Sequence, residues 1–312
     1  MKKFMMYNIT FSVLFLITIY FISEVYWTHY DYEKKKYYYY NKLLEDSVNT
    51  VVLGSSHTKF GIILSNFEMN LAKDSQNFYY DLKLLEKYRG KIRKKALIIL
   101  PISIQSFYNS KNKEIDNGYI NILRKENIKN INIINYILKG KFSIFFPPTN
   151  FFRLFSSIND KINKFYYYPP NLEENIRKIE SVETVESHLG IKKTLERNYL
   201  FKNAEQDFIN LLNYIEDNNW RYVLITTPFS YLYNENIEKY QPGAFKERIY
   251  DNIKEVEKKL NKKFVYLDYS HDERFENHLE YFFDDDHLNE KGAKYFTEIL
   301  LEDLKKLGYE FE

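Results

Sequence analysis

Two short segments far apart in the chain carry the side chains that can do chemistry. Gly54-Ser55-Ser56-His57 lies near the start and Asp284-Asp285-Asp286-His287-Leu288-Asn289 near the end. A serine hydroxyl becomes a nucleophile when an imidazole takes its proton, and a carboxylate on the other ring nitrogen keeps the imidazole in the right tautomer. Asp284, three residues before His287 on a loop ahead of a helix, can place both side chains on one side of a turn. A serine of the first segment, with Asp/His partners from the second, is therefore a candidate nucleophilic set. Asp285 and Asp286 are expected to point elsewhere or to cap the last helix. Each segment alone has a plainer reading. Gly-Ser-Ser after an apolar run is also a turn with helix-capping serines. The acidic run is also a solvated loop, a helix start capped by Asn289, or a divalent-cation site. The ordered pairing of the two segments favours the nucleophilic reading. His57 points differently from its neighbour Ser56 and is read as structural or substrate-contacting. His29, His188, His271 and His278 have no supporting constellation.

Gly54-Ser55-Ser56 directly after Val51-Val52-Leu53 resembles the first block of the SGNH/GDSL hydrolases, usually Gly-Asp-Ser. Asp284-x-x-His287 followed by Leu-Asn-x-x-Gly resembles their last block. The order of elements is similar over most of residues 48–308, and the specific motifs lie at the two ends. Within the superfamily the chain is most similar to the membrane-anchored branch that O-acylates cell-surface polysaccharides, akin to alginate and teichoic-acid acylation proteins. That resemblance implies an SGNH-like (flavodoxin-like) domain with Ser56, His287 and Asp284 as its triad and with neither cofactor nor metal. It implies an esterase or acyltransferase acting on an acylated small molecule or glycan, with a multi-pass membrane acyltransferase as a further partner. The sequence departs from the family in three places. Ser55 stands where the first block has Asp, which is not a triad member. No second-block glycine is found around Asn70-Leu71-Ala72-Lys73-Asp74-Ser75-Gln76. The Gly-x-Asn-Asp block, whose Asn donates to the oxyanion hole, is replaced by Pro101-Ile102-Ser103-Ile104-Gln105-Ser106. Donors to an oxyanion are worth about 10²–10³ in rate each, so the hole must be built differently. The Ser56 N–H is the first candidate, with Ser75 and Gln76 as further ones. A non-catalytic member that binds glycan or a membrane acyltransferase is the competing function.

Composition narrows the classes. The 312 residues suffice for a substantial core. Lys+Arg 45 against Asp+Glu 43 leaves no electrostatic case for nucleic acid. The absence of cysteine excludes disulfides, thiol catalysis and cysteine metal sites, and glycine patterns that cradle phosphate are absent. The 30 Tyr and 25 Phe fit an AT-rich genome, or aromatic platforms for sugar rings.

No charge lies between Lys3 and Glu24, a stretch dominated by Phe, Leu, Ile and Val. About 20 apolar residues cross a bilayer as a helix, and no small-x-small cleavage site follows. Residues 1–27 thus read as an uncleaved signal anchor, with Tyr26 and Trp27 at the interface, and residues 28–46 as a juxtamembrane stalk. Lys2 and Lys3 favour an inside amino terminus; Lys34, Lys35, Lys36 and Lys42 lie beyond the other end. Large domains translocate despite such flanks, and with the resemblance this favours a single-pass cell-membrane protein whose domain is extracytoplasmic.

Residues 47–312 alternate strand-like and helix-like segments. Strands are expected at Thr50–Leu53, Ala96–Leu100, Tyr222–Thr227 and Phe264–Leu267. Helices are expected at Ser75–Tyr88, Ile115–Leu138, around Phe208–Ile215, at Ala244–Leu260 and at Glu290–Leu307. That alternation predicts a parallel sheet in a three-layer α/β/α fold, with Val51–Leu53 inside the sheet and function at the carboxyl ends of strands. Residues 140–200, rich in aromatics and proline with no clear period, read as an insertion: a lid, a packed subdomain or a membrane-surface contact.

Overall fold

The computed structural model describes residues 2–30, 32–63, 68–107, 118–141, 174–189 and 197–309. In chain order its main elements are α1 (Lys2–Tyr30), α2 (Tyr32–Lys42), β1 (Val48–Val52), α3 (Ser56–Gly61), β2 (Glu68–Asn70), α4 (Phe78–Tyr88) and β3 (Ile92–Pro101). There follow α5 (Ile133–Lys141), α6 (Glu174–Leu189), α7 (Arg197–Asp217), β4 (Arg221–Thr226), α8 (Tyr231–Tyr240), α9 (Asp251–Leu260), β5 (Tyr266–Asp268) and α10 (Glu290–Lys306). The chain divides into two compact units, Met1–Leu43 with Asn112–Ile162 and Leu44–Lys111 with Asn163–Glu312.

The first unit contains α1, the one described helix long and apolar enough to cross a membrane; its segment Phe4–Phe21 has mean hydropathy 1.8. The stretch Tyr32–Lys42, within the expected stalk, is helical. Tyr37 and Tyr40, one turn apart, are buried, whereas Tyr38 and Tyr39 are exposed. The expectation of one helix across Ile115–Leu138 is corrected: among the described residues, 118–132 are turns and a short 3-10 segment, and the α-helix begins at Ile133. The asparagines are the reason. Asn130 takes a left-handed φ of 56°, and the Asn132 side chain accepts the Asn135 N–H at 2.7 Å, both uses that compete with helix interior.

The second unit is an α/β domain built on a five-stranded parallel sheet in the order β2-β1-β3-β4-β5. The four expected strands are present with shifted ends; β2 is too short to have a period of its own. β1 lies inside the sheet between β2 and β3, with Val51, Val52 and Leu53 fully buried. Alternation along the strands feeds two layers. Val52, Leu97, Ile99, Val223 and Ile225 pack with Phe296, Leu300 and Leu304 of α10 in one core. Val51, Ile98, Leu100 and Leu224 are buried facing the other way. α4 and α7 pair through Phe78 and Phe208, whose ring centroids are 4.7 Å apart. Burying each such side chain contributes about 1.5–3 kcal/mol, which holds the strand ends, and the loops beyond them, in fixed places.

Most of the expected 140–200 insertion, residues 142–173 and 190–196, lies outside the described residues. Residues 174–189 correct the aperiodic reading: they form α6, with Ser181, Val185 and Leu189 buried at four-residue spacing, packed on α8.

Candidate active site

The order 2-1-3-4-5 reverses direction between β1 and β3, and in open α/β sheets the crevice at such a switch point takes the ligand. The loop after β1 is pinned there. Gly54 has φ +103°, and a Cβ on it would come 2.0 Å from Pro101 Cγ, so no side chain fits the position. Its N–H donates to Asp81 Oδ1 at 2.9 Å, while the Thr58 hydroxyl donates to the Leu53 carbonyl at 2.7 Å. Burial pushes the Asp81 carboxyl up to about 7, against the pull of its hydrogen bonds from Gln76 and Gly54. This tight turn delivers Ser55 as the N-cap and Ser56 as the first residue of α3. The Ser55 side chain does not cap the helix; its Oγ lies 3.2 Å from His57 Nδ1.

The second half of the site is the loop before α10. Asn289 caps that helix, accepting the Gly292 N–H at 3.0 Å, and its own amide donates to the Glu280 carbonyl at 2.8 Å. A Cβ on Gly292 would lie 2.1 Å from the Tyr281 carbonyl oxygen; glycine lets the helix start touch the loop. Asp284 Oδ1 accepts the backbone N–H of His287 at 2.7 Å and of Asp286 at 3.1 Å. That carboxylate closes its own turn and fixes where the histidine stands.

The structure brings Ser56, His287 and Asp284 together. Ser56 Oγ lies 2.7 Å from His287 Nε2, and His287 Nδ1 lies 2.9 and 3.1 Å from the two Asp284 oxygens. Asp286 does not turn away, contrary to expectation. Its Oδ1 is 2.9 Å from His287 Nδ1 and its Oδ2 accepts from His57 Nε2 at 2.8 Å. Asp284's reversal of the chain swings Asp286 inward, where its two oxygens meet a nitrogen of each ring; the rings stack at 4.7 Å and 7°. Burial pushes His287 down, but the Asp286 charge and the Asp284 hydrogen bond outweigh it and hold the imidazole well above its usual value. For Asp286, burial pushes up and is outweighed by His287 and His57, which hold the carboxyl well below its usual range. Asp285 points away from the rings; burial and the neighbouring carboxylates raise it, and its carbonyl accepts from Ser230 N–H and Oγ.

His188, without an evident role in the sequence, stands at the edge of this cluster. Its Nδ1 is 2.8 Å from Tyr233 Oη and 3.6 Å from Asp286 Oδ2. No motif signals it, because α6 and α8 meet only in the fold. His271 and His278 are half-exposed and pair with Glu276 and Glu280. His57, Asp286 and His287 have the donor types of a cation site; in this arrangement His57 Nε2 is hydrogen-bonded to Asp286 and His287 Nδ1 to Asp284.

The two further oxyanion candidates fall differently. Gln76 is buried, and its amide donates to Asp81 at 2.6 Å and to the Leu71 carbonyl at 3.2 Å, so it braces Asp81 and has no hydrogen to spare. Ser75 is exposed in a turn with φ 56°. A cavity of about 20 Å³ opens beside the loop after β1, lined by Ser55, His57, Gln76, Ile102, Gln105 and Thr227 among others. That is room for about one water, at the carboxyl ends of β1, β3 and β4.

No protein-family model matches the chain, and no curated protein sequence does. A crystal structure from Bacteroides fragilis NCTC 9343, described as a "putative acylhydrolase", is similar at 11% identity. The alignment covers 90% of this chain and 98% of that one, with a TM-score of 0.40. A likeness of that size carries no argument about chemistry, which rests on the residues themselves.

Proposed function

We propose that the protein is a membrane-anchored serine esterase or O-acyltransferase of SGNH type, acting on an acylated cell-surface glycan or a similar ester. One observation carries this reading: Ser56 Oγ and His287 Nε2, 231 residues apart in sequence, stand 2.7 Å from each other. In the first half-reaction Ser56 Oγ attacks the ester carbonyl carbon as His287 Nε2 takes its proton. Asp284 on Nδ1 holds the ring while it is positive. The oxyanion faces the Ser56 N–H, which at the first position of α3 has no intrahelical partner. The tetrahedral adduct then collapses: the C–O bond to the leaving alcohol breaks, and the imidazolium returns its proton to that oxygen. In the second half-reaction water or a sugar hydroxyl gives its proton to His287 and attacks the acyl-Ser56 carbonyl; the bond from the acyl carbon to Ser56 Oγ then breaks, the imidazolium returns its proton to Oγ, and the acid or the new ester is released. Hydrolysis and transfer share the acyl-enzyme and differ in which acceptor reaches it.

The full chain in mild detergent should hydrolyse 4-nitrophenyl acetate with saturation kinetics, and fluorophosphonate pretreatment should abolish that turnover. Absence of both under conditions where the protein is folded would favour the second reading, a non-catalytic module that binds glycan or a membrane acyltransferase. The missing Gly-x-Asn-Asp block is the observation on that side.

The apolar length of Phe4–Phe21 supports a single-pass anchor. Protease added to intact cells is expected to digest the second unit while the Met1–Trp27 segment stays with the membrane. Protection of that unit until the cells are lysed would reverse the orientation.

A further inference from the structure

We infer that Asp286, held by His57, whose other ring nitrogen meets Ser55, is a positioning residue for the base: it holds a buried negative charge against the Nδ1 edge of His287. The inference rests on the triad reading above and adds a second carboxylate to it. The two carboxylates on Nδ1 differ in kind. Asp284 is hydrogen-bonded to the ring, spends Oδ1 on two backbone N–H groups, and its side chain is 26% exposed. Asp286 is 1% exposed, and its Oδ1, 2.9 Å from Nδ1, is out of line for a hydrogen bond. Its contribution to His287 is therefore chiefly charge, and a charge acts more strongly where water is excluded.

Such a charge is costly to bury unless something holds it. His57 does. Its Nε2–H donates to Asp286 Oδ2, which leaves Nδ1 to accept from the Ser55 hydroxyl. The ring that stacks on His287 thus has both nitrogens engaged, one by Asp286 and one by Ser55. The same bond explains why Ser55 leaves its helix uncapped. The other groups around the cluster do not compete. His188 from α6 is pushed down to about 4, chiefly by burial, and stays neutral. Burial, then the charges of Asp286 and Asp285, raises Tyr233 from α8, which also stays neutral. Phe60 of α3 meets His287 edge-on, with centroids 6.0 Å apart. Asp284 and Asp286 are the anions that face Nδ1.

The base must be neutral to act, so kcat/KM rises with pH through the His287 value. Removing the Asp286 charge lowers that value and moves the acid limb to lower pH. The test is the pH profile of 4-nitrophenyl acetate hydrolysis by the full chain. Asp286→Asn should shift the acid limb down by about one unit or more and lower the limiting kcat roughly tenfold, because the base is weaker. His57→Leu, which strands the carboxylate, should shift the limb the same way, whereas His57→Gln, which keeps an N–H donor, should hold it near the native position. An unmoved limb in folded Asp286→Asn, with Ser56→Ala inactive, overturns the role of Asp286 and leaves the triad standing. Full activity in Ser56→Ala overturns the triad itself. If Asp286→Asn does not fold, the His57 pair decides, and equal limbs in the Leu and Gln variants overturn the inference. A fluorophosphonate adduct on Ser55 in Ser56→Ala would make Ser55–His57–Asp286 a second nucleophilic set, and would likewise overturn the positioning role.

Discussion

Ser56→Ala is expected to abolish fluorophosphonate labelling and to lower ester turnover by about 10⁴-fold or more, in a chain that remains folded. The side chain is half-buried at the start of a short helix, and the partner of its hydroxyl is His287. Losing one neutral hydrogen bond costs about 1 kcal/mol, small beside the core that the sheet buries with α10. The chemical loss is of another order, since no covalent intermediate can form on alanine. Ser55 is the nearest hydroxyl, and it is engaged with His57 rather than with His287. Labelling on a gel and progress curves for a verified acyl ester read the two effects separately. Full retention of turnover in the alanine variant removes the nucleophile from the account.

His287→Ala is expected to cost on the order of 10³–10⁶ in kcat, with Asp284→Ala losing less. Without the imidazole the Ser56 proton has no acceptor, and the alcohol leaves unprotonated in the first half-reaction. Asp284 acts through the ring, and Asp286 remains beside Nδ1 when Asp284 is gone. The unequal loss is the informative feature. Alanine at Asp284 also frees the backbone N–H groups of Asp286 and His287, so Asp284→Asn, which keeps an acceptor, separates turn closure from charge. Native kinetics in His287→Ala would mean that the 2.7 Å contact with Ser56 carries no chemistry.

Much of this architecture can be read from residues. Val51-Val52-Leu53 ending in Gly-Ser-Ser announces a buried strand and its turn, and Asn289-x-x-Gly292 announces the start of α10. The α/β class follows from the alternation of such runs. What the sequence hides is hidden for physical reasons. β2, three residues long, is held by pairing to β1, not by a pattern of its own. The Asn-rich stretch before α5 has apolar spacing like a helix, but Asn130 takes a left-handed φ and the Asn132 side chain accepts the Asn135 N–H. Three successive aspartates cannot be ranked by spacing alone. Which of them meets the imidazole depends on the turn that Asp284 closes with Oδ1, and that turn sends Asp286 inward and Asp285 away. His57 and His188 gain partners from residues 229 and 45 positions away, a separation no local motif records.

The most direct test is the site of covalent modification on the unmutated, full-length chain. After treatment with a fluorophosphonate, peptide fragmentation by mass spectrometry distinguishes Ser55 from Ser56. The account predicts a single adduct, on Ser56, that forms far more slowly in His287→Ala. Contradiction would be a folded protein that takes no adduct, or one whose adduct sits on any other residue.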